Sequence, residues 1–155
     1  MTYRISGLDP APYQTLFGRP VDELAVVNAQ RMVVTDQPGF PCRVRLDDVE
    51  PGRSVLLLNH LSVATGPYRA RHAIFIEEGA EAAAVYRDTV PPALNRRVLS
   101  VRAFDHHDLM MDATLAQPGE ADAAIRRLLA DERVRYIHTH NAVRGCFAAT
   151  VERVE

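Results

Sequence analysis

The sequence predicts an α+β fold: one domain over residues 1–155, a mostly antiparallel β-sheet with a few short helices and one longer helix packed on it. Three observations carry this. Short β-branched and alternating segments outnumber helical ones. Gly- and Pro-rich turn signals separate them at close intervals. Strands and helices come in mixed order rather than strict alternation, which disfavours a parallel sheet. The chain length of 155 residues fits one domain, large enough to hide roughly 70% of its unfolded surface.

Each element has its own warrant. Tyr3 to Leu8 reads as a strand. Asp9 caps a helical stretch that Pro10 tolerates in its first turn and Gly18 ends. Val21 to Asn28 reads as a second short helix and Arg31 to Thr35 as a β-branched strand. Asp36-Gln37-Pro38-Gly39 is a turn, followed by alternation from Pro41 to Leu46. Val55 to Leu58 is apolar throughout, as a buried strand is, and a loop carrying His60 is expected from Asn59 to Pro67. Tyr68 to Ile76 alternates, with Arg69 and Arg71 on one face. Glu81 to Asp88 reads as helical, and Pro91-Pro92 opens another short helix. Val98 to Asp105 and Leu109 to Leu115 form a hairpin around His106-His107-Asp108. The clearest helix follows Glu120, with Ala124, Ile125, Leu128 and Leu129 at helical spacing. Arg135 to Ala142 and Cys146 to Val154 make a terminal strand pair turned at Arg144-Gly145.

Composition narrows the function classes. The net charge of -2 gives no general attraction to nucleic acid or anionic membranes. No stretch approaches the roughly 20 apolar residues of a membrane span, and the first residues lack the pattern of a signal peptide. The expected location is the cytoplasm. All 18 basic residues are arginine, so lysine Schiff-base chemistry is excluded. The two cysteines, Cys42 and Cys146, have no Cys-x-x-Cys spacing and are expected to stay reduced. Nothing in the sequence names a cofactor.

The chemistry concentrates at the end, in Tyr136-Ile137-His138-Thr139-His140-Asn141-Ala142-Val143-Arg144-Gly145-Cys146. His138 and His140 are two apart on a strand and share a face, placed for acid–base work or as a metal bidentate. A metal would need a further ligand from His60, Cys146, Asp105, Asp108 or Asp112, none at diagnostic spacing. If Gly145 closes a bulged turn, Cys146 shares the histidine face and a Cys–His pair forms; a two-residue Val143-Arg144 turn would put it on the other. The bulge is the expected form. Arg69, Arg102, Asn141 and Arg144 are the candidate grip for an anionic ligand, with His138, His140 and Cys146 as candidate catalytic groups.

Five blocks carry a resemblance: Arg4-Ile5-Ser6-Gly7-Leu8, Pro38-Gly39-Phe40-Pro41-Cys42-Arg43, Pro67-Tyr68-Arg69-Ala70, Ser100-Val101-Arg102-Ala103-Phe104-Asp105 and the terminal run. With these the chain resembles an uncharacterised bacterial family, domain of unknown function number 1203. The resemblance implies a single compact domain and no activity, substrate or cofactor. Three readings stay open: an anionic small-molecule site, catalytic or binding; a metal site on His138 and His140; and an interaction module whose terminal strands offer an edge to a partner or a second copy.

Overall fold

A computed structural model describes residues 1–155. Nine strands and four short helices run in the order β1 (Thr2–Ser6), α1 (Ala11–Gln14), α2 (Val21–Val26), β2 (Gln30–Val33), β3 (Ser54–Val63), β4 (Ala70–Glu77), β5 (Val85–Arg87), α3 (Pro92–Asn95), β6 (Leu99–Phe104), β7 (Met110–Ala116), α4 (Ala121–Leu129), β8 (Tyr136–Asn141) and β9 (Phe147–Val154). They form a six-stranded sheet, β5-β1-β9-β8-β6-β7, and a three-stranded sheet, β2-β3-β4. Every strand pairing is antiparallel, so the α+β class holds.

Period-two alternation makes the layers. Leu99, Val101, Ile137, Ala149 and Val151 point to one face and pack with Ile125, Leu128 and Leu129 of α4 in a core of 16 buried residues. The alternate residues His138 and His140 meet the three-stranded sheet, joined by Phe147, which the register irregularity before Ala149 turns to that face. There His72 lies 4.9 Å from His140 and His60 lies 5.2 Å from Phe147, ring centre to ring centre. Phe147 thereby joins the second core, 13 buried residues built around β3, β4 and α2.

Five expectations need correction. The apolar run at 55–58 does not end at a loop: β3 continues to Val63, because polar residues at a sheet junction still complete a ladder. His60 is therefore a strand residue, paired opposite His72. Residues 85–87 are a strand rather than part of a helix, because they pair with β1 at the sheet edge. Pro41 to Leu46 forms only isolated bridges and turns; Arg43 and Val44 hydrogen-bond to three separate segments instead of one strand. Arg69 sits in the turn before β4, with its amide donating to the Gly66 carbonyl, and is not aligned with Arg71 on a strand. The terminal strands also offer no edge, since β8 lies between β6 and β9, and β9 between β8 and β1.

Candidate functional site

The site begins at Gly7. A Cβ there would stand 2.0 Å from the Val44 carbonyl oxygen, so only glycine lets β1 approach the 42–44 segment this closely. Leu8 donates its amide to the Arg43 carbonyl at 2.8 Å, and Arg43 donates its own to Phe75 at 3.0 Å. Arg43 is thus fixed between the sheets with 3% of its surface exposed. Its Nε donates to the Phe147 carbonyl (2.8 Å), its Nη1 to the Pro41 carbonyl (2.6 Å) and its Nη2 to Cys146 Sγ (3.0 Å). Burial pushes this guanidinium below its ordinary pKa, while the facing sulfur opposes that shift.

Most arginines here are ion-paired. Ten of the 18 form salt bridges. Arg43, Arg69, Arg102 and Arg144 are among those that do not, and each lines one or more of three neighbouring cavities. The largest, about 670 Å³, opens beside the β8–β9 turn; Met32, Phe40 and Phe75 give it apolar walls, and Arg43, Asn141, Arg144 and Cys146 supply polar groups. A cavity of about 300 Å³ continues past Cys146 and Arg144 to His72. Beyond His72 a third, about 240 Å³, is lined by Arg69, Arg102 and His140. The structure therefore divides the predicted residues. Asn141, Arg144 and Cys146 come together; Arg69, Arg102 and His140 come together elsewhere; His138 lines none of these spaces.

The turn before Cys146 differs from the expected bulge. Asn141 donates to the Cys146 carbonyl at 2.9 Å and accepts from the Gly145 amide at 2.7 Å, closing a four-residue loop in which Gly145 has φ +76°. The register irregularity falls one step later, between the Thr139–Ala149 and His140–Phe147 pairs. Asn141, not a histidine, faces Cys146. Its amide nitrogen lies 3.7 Å from Sγ, and the sulfur's charged neighbour is Arg43 rather than an imidazole.

The histidines form a buried layer between the sheets. His138 packs against Phe104, Tyr136 and Phe147 at 5.5, 4.8 and 5.0 Å, and its Nδ1 is buried without a partner. Burial holds it down to about 3. His140, 2% exposed, is held at about 4 by burial, against the pull of its hydrogen bond to the Gly145 carbonyl (3.0 Å). His60 meets the Tyr13 hydroxyl at 2.7 Å and is also held near 4 by burial. All three are neutral at physiological pH. No three or more His, Cys, Asp or Glu side chains converge as metal ligands. The candidate third ligands have other partners: Asp105 accepts backbone amides of its own turn, Asp108 accepts from Tyr136 and Thr65, Asp112 pairs with Arg127, and Cys146 accepts from Arg43.

Arg43 and His72 escaped the sequence reading as site residues, and His60 entered it only as a spare metal ligand. Continuing the β3 ladder through residue 60 would have paired the two histidines. No local signal ties Arg43 to a sulfur 103 residues away.

Fold and cavities define a two-sheet α+β domain with an arginine-lined cleft where its sheets meet. The chain belongs to the family described as "Protein of unknown function (DUF1203)", whose model matches residues 39–153. Neither the curated proteins nor the solved structures compared with it gave a match. No helix is long and apolar enough to cross a membrane.

Proposed function

We propose that the cleft beside the β8–β9 turn binds a small organic anion, with its carboxylate on Arg144 and Asn141 and its apolar body against Phe40, Phe75 and Met32. The observation that carries this is Arg43. A guanidinium 3% exposed, with no carboxylate partner, forms part of the wall. A buried charge left without a counter-ion is costly, and an anion in the cleft offsets that cost. Arg144 adds a cation at the rim, exposed and free of any salt bridge. The cleft combines apolar walls with a few convergent polar groups, the usual make-up of a small-molecule site. Cys146 places a thiol in the same wall, its sulfur accepting from Arg43, and is the candidate nucleophile should the bound ligand react. Both cysteines are free thiols, in keeping with a role in the bacterial cytoplasm.

The test is calorimetry with small aromatic and aliphatic carboxylates, each beside its uncharged amide. A carboxylate is expected to bind at least tenfold tighter than its amide, and Arg144→Ala to remove most of that advantage, since a charge-assisted hydrogen bond contributes about 1.5–3 kcal/mol. Equal binding of acid and amide, or an unchanged Arg144→Ala protein, would refute the reading.

A further inference from the structure

The cavity beyond His72 has a chemistry of its own. Arg102 spends one donor, its Nε, on Ser100 Oγ at 3.0 Å. Its terminal nitrogens make no hydrogen bond within the protein. Arg69 is exposed, and its side chain makes none either. No acidic residue lines the space, so two positive charges face it uncompensated. Two imidazoles, His72 and His140, line the same space. The Arg102 charge acts on both rings, helping to hold each neutral.

The protons on these rings matter. A carbonyl oxygen only accepts, so the His140 Nδ1 bonded to Gly145 carries the hydrogen. In the neutral ring Nε2 is then a bare acceptor, and it finds no donor in the protein. The Nε2 of His72 is buried with no partner at all. A ligand that completes this site must offer negative charge to the guanidiniums and a proton to His140. A carboxylate or a sulfate has no proton to give at neutral pH. Hydrogen phosphate has both, and a cavity of about 240 Å³ has room for it with water.

We infer that this cavity is a second anion site, taking inorganic phosphate in a form that donates its P–OH to His140 Nε2 while Arg69 and Arg102 bind its oxygens. The site goes beyond the carboxylate cleft and does not rest on it, since neither arginine lines that cleft.

Titration of inorganic phosphate and of sulfate into the full chain at pH 7.0 and low salt tests this, read by calorimetry and by phosphorus NMR. Phosphate is expected to saturate one site at least tenfold more tightly than sulfate. Arg102→Gln should weaken phosphate tenfold or more. Arg69→Gln, at an exposed turn position that leaves folding intact, should weaken it several-fold. His140→Phe, checked for folding by circular dichroism, should bring phosphate and sulfate close to parity. Arg144→Ala should leave phosphate binding unchanged, which separates the outcome from that of the carboxylate cleft. Equal binding of phosphate and sulfate by the wild type, or phosphate binding that survives both Arg69→Gln and Arg102→Gln, overturns the inference.

Discussion

Acid should unfold this protein earlier than its carboxylates alone would. His138 and His140 are 6% and 2% exposed, and burial holds them near 3 and 4, whereas an unfolded histidine titrates near 6.5. The unfolded chain therefore takes up protons first. Stability is complete above about pH 6.5 and is lost as pH falls toward the folded values. At pH 5 each ring is about 1.5 pH units below the unfolded value and still neutral in the fold. At about 1.4 kcal/mol per unit, each costs about 2 kcal/mol, and the pair about 4 kcal/mol. That is a large share of the roughly 5–15 kcal/mol of a typical domain. With a urea slope of about 2 kcal/mol per molar, these two rings should lower the midpoint by about 2 M between pH 7.5 and pH 5.0, and the half-buried His60, also held near 4, adds to that fall. Carboxylates held low, such as Glu78, which Arg31 keeps near 2, titrate well below this window. His138→Phe isolates one ring: His138 makes no hydrogen bond to lose, and its neighbours are aromatic. The variant should lose about 1 M less over the same range, the share of one ring at about 2 kcal/mol. A midpoint constant to within about 0.3 M over this range, or a fall that His138→Phe leaves untouched, would refute the buried neutral layer.

Two further outcomes follow from the packing. Iodoacetamide applied to the native protein should alkylate Cys146, at the cleft wall, and spare Cys42, which is 1% exposed and whose thiol burial pushes up; peptide mass spectrometry showing both modified at similar rates would contradict this. Gly7→Ala should cost about 3 kcal/mol in urea unfolding, the upper end for overpacking, because its Cβ meets the Val44 carbonyl; a loss below about 1 kcal/mol would mean that the Arg43 segment moves away easily.

The sequence legibly carried whatever depends on neighbours along the chain. The α4 stripe is a matter of helical period, and Ile125, Leu128 and Leu129 are buried where that period puts them. The β6–β7 hairpin and the final strand pair follow from alternation broken by turn residues. These signals are local, because backbone geometry repeats every two or 3.6 residues. The same period placed His138 and His140 on one face. It could not say that this face meets a second sheet and is sealed from water.

What the tertiary structure decided lies in pairings far apart in sequence. Residue 85–87 became a strand because β1 was there to pair with it. His60 found His72 because β3 ran on past its apolar stretch. Cys146 found Arg43 rather than a histidine, since a single residue's shift in register moves a side chain to the other face. The sequence by itself determined the class of fold, the long helix and the strand that carries the histidines. Only the packed molecule decided which arginines stay without a carboxylate, because charge compensation is settled by distance in space, and a one-dimensional pattern holds no record of it.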